Sequence, residues 1–251
     1  MPNPDPSADG DEPDHWFEPI ADRLGSAYLR YTFTLGTEQE CAHLTDVLGL
    51  EPGQRVLDVG CGPGRHAHRL AGDGVVVHGV DISDRFIQLA ATDAPIGATF
   101  ERLDARDLVE RSDLHDRFDA VICLCQGAFG MMRIDGDDER VLAGIARCLR
   151  PGGRVALSAF NAYFAVRYHT EATFDADAGV SHELTEVRDE QGGRHRVDLW
   201  TGCYTPRELR LLFDRAGLSV RSISGVEPGD YGRQPASTER PEHLVIAERP
   251  R

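Results

Sequence analysis

Gly60, Gly62 and Gly64 alternate directly after the run Val56-Leu57-Asp58-Val59, and a helix-like stretch begins at Arg65. Glycine permits a sharp backbone turn, and its missing Cβ lets a ligand approach the main chain. Further polar positions close later apolar runs: Asp81-Ile82 after 75–80, Asp104-Ala105 after 98–103, and Leu124-Cys125-Gln126 at the end of 118–124. An acid roughly 20 residues beyond such a turn can accept hydrogen bonds from both hydroxyls of a ribose. Asp104 is placed to accept from the exocyclic amine of a base. Together these positions suit a nucleoside-bearing ligand lying across the C-terminal ends of parallel strands. The spacing is G-x-G-x-G, and Arg65 stands where a dinucleotide fingerprint would carry its last glycine. Plainer roles compete at each position. Glycines make ordinary turns, Asp81 can share helix capping with Ser83, and Glu101 and Asp107 flank Asp104.

The elements that must hold these residues alternate. Thr37-Glu-Gln-Glu40 reads as a capping box for a helix with apolar positions 41, 44, 47 and 48. A strand at 55–59 leads into the turn and a helix carrying Ala67, Leu70 and Ala71. Residues 75–80 are apolar almost throughout, as in a strand covered on both faces. Ser83 caps a helix with Phe86, Leu89 and Ala90 on one side, and short strands are expected near 99–101 and 120–124. Asp137 opens a helix that Pro151-Gly152-Gly153 stops, and a strand follows at 154–160. Alternating βα units of this kind imply an α/β, doubly wound sheet.

Residues 161–204 break the rhythm. They carry few helix signals, and the Gly192-Gly193 turn between alternating arms at 180–187 and 195–204 predicts an antiparallel β insertion. Thr205-Pro206-Arg207-Glu208 is a capping box with proline at the first helical position. Strands near 219–224 and 243–248 close the chain. Residues 1–14, with four prolines, five acids and no base, predict a disordered tail. Residues 15–251 then form one domain with a helical cap at 15–50.

Composition narrows the function classes. No apolar run approaches the ~20 residues of a membrane helix, and the acidic N-terminus is unlike a secretory signal. The six cysteines are therefore expected as reduced thiols in the cytoplasm. A formal net charge of −15 disfavours a phosphate backbone as partner. All 27 basic residues are arginine, which excludes lysine Schiff-base or lysine general-base chemistry. Cys123 and Cys125 have no partner pair at metal spacing and read as buried strand thiols, so no metal is expected. His66 and His68, two apart on a helix, face away from each other.

Residues 54–157 resemble the class I S-adenosylmethionine-dependent methyltransferases. The glycine turn matches that family's motif I, the acids at 81 and 104 follow in order, and Leu149-Arg-Pro-Gly-Gly-Arg-Val155 resembles its loop before a strand. The resemblance implies a mostly parallel seven-stranded sheet with an antiparallel last strand, and S-adenosyl-L-methionine as cofactor. It implies that Asp58, Gly60, Cys61, Gly62 and Gly64 meet the methionine part, backbone N–H groups included. Asp81 and Ile82 would meet the ribose, Asp104 and Ala105 the adenine, and Leu124, Cys125 and Gln126 would pass the methyl-donor centre. Methyl transfer is direct displacement at a sulfonium, so much of the catalysis is positioning.

By the same resemblance, residues 15–36 and 161–204 would cover the active site. Tyr28 and Arg30 would close over the cofactor, Arg30 pairing its carboxylate. Tyr168, His169 and His182 are candidate proton acceptors, His182 first because it sits on an alternating strand. The expected reaction is methylation of N or O on a small-molecule acceptor, with neither nucleic acid nor membrane as partner and a homodimer as a compatible assembly. Rival readings are a nucleic-acid or protein methyltransferase, a non-catalytic S-adenosylmethionine-binding module, and a nicotinamide oxidoreductase. Segment 119–126 lacks the Asn/Asp-Pro-Pro-aromatic loop of methyltransferases acting on nucleobase amino groups.

Overall fold

The computed structural model describes residues 15–125, 127–131 and 136–251. The tail expected at 1–14 and the site residue Gln126 lie outside the described residues. β1 (Arg55–Val59), β2 (Val76–Asp81), β3 (Ala98–Arg102), β4 (Phe118–Cys123) and β5 (Leu149–Asn161) pair in parallel in the order β3-β2-β1-β4-β5. Beyond β5 lies β10 (Glu242–Glu248), antiparallel both to it and to the edge strand β9 (Ser219–Val226). The doubly wound sheet with an antiparallel last strand is thus present.

Its strands bury residues on both faces, as successive side chains must point to opposite sides. Leu57, Val59, Val121, Cys123, Val155 and Leu157 meet α5 (Asp137–Cys148) and α7 (Pro206–Arg215) on one face. Val56, Ala120, Ile122 and Ala156 meet α2 (Thr37–Leu48) and α3 (Arg65–Gly72) on the other. α2 therefore covers the sheet and is not part of a cap, which confines the cap to 15–36: α1 (Glu18–Leu24) and the 3-10 turns Gly25–Arg30 and Thr32–Gly36. α1 packs with Phe86 of α4 (Asp84–Ala91) and with Val187 and Val197 of the insertion.

The insertion is a hairpin of β7 (Val180–Arg188) and β8 (Arg194–Tyr204), with the short β6 (Thr173–Asp175) at its side. β8 joins the main sheet where Phe160 and Asn161 pair with Cys203 and Tyr204. One element was not foreseen. Asn161 starts a helix, α6 (Ala162–Tyr168), its side chain accepting from the Tyr163 N–H at 3.0 Å. The capping boxes divide. Thr205 and Glu208 exchange both bonds at the start of α7. Thr37 and Glu40 do not, because Glu40 turns inward to partners on α3, and α2 starts without a side-chain cap.

Candidate functional site

The turn after β1 is held by its own amides. Gly60 N–H and Cys61 N–H donate to Val80 O at 2.8 and 3.0 Å, Gly62 N–H to Asp81 Oδ2 at 2.8 Å, and Gly64 N–H to Cys61 O at 3.0 Å. These donors are spent inside the protein, contrary to the expectation that they reach a ligand. The turn instead offers Cβ-free surface, unlike a phosphate-binding turn, whose amides face the anion. Gly60 has φ +70°, and a Cβ there would lie 2.0 Å from Gly127 O, so no larger residue fits.

Gly60, Gly62 and Asp81 line a cavity of about 400 Å³. Asp81 is 5% exposed, and its oxygens accept from the Gly62 and Ser83 N–H groups. Burial pushes its pKa up to about 6 against the pull of those bonds. A carboxylate has about four lone-pair sites, so Asp81 keeps capacity for two hydroxyls. Ser83, not Asp81, caps α4 by accepting from the Phe86 N–H.

A smaller lobe at the same turn is lined by Ile82, Asp104, Ala105 and His15. Asp104 is more engaged than expected. It caps the 3-10 turn Ala105–Val109 through the Arg106 N–H, and the Arg106 guanidinium holds both its oxygens. Burial would raise its pKa, but those bonds outweigh it and hold the carboxyl low. His15, unforeseen, is 8% exposed with Nε2 unpartnered among the described residues.

Asp58 and Cys61 lie beneath the turn and do not line the cavity. Asp58 is 2% exposed near the start of α3, and its Oδ2 has no hydrogen-bond partner among the described residues. Burial raises its pKa to about 7. Cys61 packs under Gly79. Leu124 is buried, while Cys125 lines the cavity with a left-handed φ of +53°, past the strand end rather than within it.

Residues 56–153 match a family model described as a methyltransferase domain. The ubiquinone biosynthesis O-methyltransferase of Alkalilimnicola ehrlichii is 32% identical over 187 residues, 73% of this chain and 68% of that one. This chain belongs to the S-adenosylmethionine-dependent methyltransferases. The enzyme of the same name from Aeromonas salmonicida is 29% identical, covering 76% and 74% of the two chains. Among solved structures, the CcbJ methyltransferase of Streptomyces caelestis shares the fold at a TM-score of 0.75 and 18% identity, covering 94% of this chain and 99% of that one. CalS10 of Micromonospora echinaspora, an amino pentose methyltransferase with its cofactor bound, aligns at 0.62 and 21%, covering 89% and 95%.

The rest of the methyltransferase's cavity is walled by side chains from distant segments. Trp16 and Phe17 come from the N-terminal segment and Leu199, Trp200 and Thr201 from β8. Phe160 and Glu242 come from adjoining strands of the sheet. Trp16 Nε1–H donates to Met131 O at 2.8 Å, and its ring meets Trp200 edge-on at 5.2 Å. Tyr28 lines the cavity, standing over Gly62 and packing on Phe86.

The other acceptor-side expectations divide. His169 lines the cavity beside Phe160. His182 does not. It stacks on Trp200 at 4.8 Å, bonds Asp198 at 2.8 Å, and lines a separate groove on the hairpin. Tyr168 is exposed and donates to Glu239, away from the cavity. Arg30 is exposed against the Glu190 carbonyl. The guanidinium beside the cavity is that of Arg65, 8% exposed, bonded to Glu40 Oε2 at 2.5 Å and in contact with Cys125 Sγ at 2.8 Å.

Glu40 was missed because it read as a cap. It is fully buried and also accepts from His66 Nε2 at 2.8 Å and the Gly229 N–H at 2.9 Å. Burial works to raise its pKa, but the His66 and Arg65 contacts prevail and hold it near 2. Glu242 was missed for another reason: it sits one residue before the strand expected at 243–248.

Proposed function

We propose that the methyltransferase O-methylates a small, largely apolar, planar acceptor in the cytoplasm. One observation carries this reading. A single cavity joins the glycine turn and Asp81 to a chamber faced by Trp16, Phe160 and Trp200. When bound, S-adenosylmethionine supplies a methyl group made electrophilic by its sulfonium. Asp81 would hold its ribose hydroxyls, and the Cβ-free glycine turn would lie against its amino-acid end. Ile82, Ala105 and His15 would enclose the base. The aromatic walls exclude water and orient a flat acceptor, which fits catalysis by positioning.

The names of the sequence relatives support oxygen as the acceptor atom. The net charge of −15 and the apolar walls favour a small molecule over nucleic acid. All six cysteines are free thiols, in keeping with a reducing compartment. Among the described residues no helix is long and apolar enough to cross a membrane. Calorimetry tests the cofactor half: S-adenosylmethionine should bind and NAD should not. Mass spectrometry of a phenol, catechol and amine panel tests the acceptor half, and methylation confined to amines would refute the oxygen assignment.

A further inference from the structure

We propose that Glu242 is the general base of the methyltransferase, taking the proton from the acceptor as its oxygen attacks the methyl group. The proposal rests on the cofactor and acceptor assignments above. Glu242 opens β10, pairing with Phe160 on one side and Val226 on the other, and it lines the cavity beside Cys125 and Phe160. It is 5% exposed, and its Oε2 has no hydrogen-bond partner among the described residues. A buried carboxyl on a cavity wall, with one oxygen that no hydrogen bond satisfies, is costly as structure and useful as an acceptor.

Its neighbours fix its place. Ser158 lies on β5 opposite Leu244, its hydroxyl accepts from the Cys125 N–H at 2.7 Å, and its nearness draws down the pKa of the Glu242 carboxyl. Cys125, Ser158 and Glu242 therefore stand together at the end of β4, where the methyl donor is expected. The titratable groups that act on it or share its cavity are Glu40, Arg65, Cys125, Tyr231, Tyr28, Asp81 and His169. Burial and Glu40 raise its pKa, Ser158 and Arg65 lower it, and it comes to about 7. A base is most effective when its pKa lies near the working pH.

The step balances. The acceptor O–H passes its proton to the Glu242 carboxylate, and an oxygen lone pair forms the new C–O bond. The C–S bond breaks with its electrons staying on sulfur, so the positive charge of the sulfonium is neutralised. Glu242 leaves the step as a neutral acid and returns its proton to solvent. No oxidant, metal or further reactant is needed. His169, the one candidate proton acceptor on the cavity wall, packs instead against Phe160 and Phe164.

Two measurements test the role. In the cofactor-free protein, infrared difference spectra of wild type against Glu242→Gln should show a carboxyl that loses its proton near neutral pH in wild type alone. Identical titrations would overturn the proposal. In the acceptor panel, Glu242→Gln should lower kcat roughly 100-fold or more and abolish the acid limb of the pH profile. Glu242→Asp should keep partial activity, and both variants should bind S-adenosylmethionine like wild type. A Glu242→Gln protein that binds the cofactor and turns over at the wild-type rate would also overturn it. Failure of wild type to bind S-adenosylmethionine would strike the cofactor reading instead. If no panel member is methylated, the carboxyl titration alone decides.

Discussion

The two halves of the cavity are built by different means. The half proposed for the cofactor is framed by main chain, with the Asp81 side chain set into it: a turn whose amides bond Val80, Asp81 and Cys61, and a Gly60 pressed against Gly127. The acceptor half is side chain, assembled from Trp16, Phe160, Trp200 and Glu242, which meet only because the chain folds. Main-chain geometry admits few residue types and so leaves a pattern of spacing. A side-chain wall admits many, provided volume and polarity suit. On the proposed assignment, cofactor recognition is therefore the more constrained part, and acceptor choice the part freer to vary.

Substitutions can break that contrast. Gly60→Ala should be the most damaging, costing on the order of 3 kcal/mol or more and abolishing cofactor binding, because its Cβ meets backbone. Gly53→Ala, at φ +86° with open space around it, should cost only ~1 kcal/mol in urea unfolding. Glu40→Ala should destabilise by about 3–5 kcal/mol, since Arg65 and His66 lose a buried carboxylate. Because the folded Glu40 titrates near 2, its contribution is complete above the unfolded value near 4.5 and is lost as pH falls through 2. Urea midpoints of wild type and variant should therefore converge under acid.

Asp81→Ala and Trp200→Ala form a matched pair. The first should weaken S-adenosylmethionine binding by about 1–3 kcal/mol in calorimetry. The second should leave that affinity intact and lower kcat/KM for the acceptor by a similar ~1–3 kcal/mol. If either variant disturbs both ligands equally, the two halves are not separable. His182→Ala should do least, within ~0.5 kcal/mol in stability and about twofold in kcat, because its ring faces the outer groove.

This division also explains what could be read from the chain. The succession of strands and helices follows from apolar runs and caps, and Asp81, Ile82 and Ala105 line the cavity and its smaller lobe. Asp58 misled because an acid beside a glycine turn reads the same whether it faces the ligand or lies buried beneath the turn. Glu40 misled because a helix-start signature and a buried ion pair use one residue type. His182 was chosen for lying on an alternating strand, but alternation does not say which face of a hairpin looks inward. Glu242 carries no local signal at all. Its burial arises from pairing with Phe160, 82 positions earlier in the chain.

The buried carboxyl on β10 has a bearing on protein engineering. A group whose folded pKa is raised stabilises fully below its unfolded value and loses that stability as pH rises through the folded one. For Glu242 that window runs from about 4.5 to about 7, so at pH 8 the native state carries a cost that a neutral glutamine would not. A screen that rewards heat tolerance at alkaline pH would favour Glu242→Gln. On the role proposed for Glu242, the same screen would be collecting inactive enzymes.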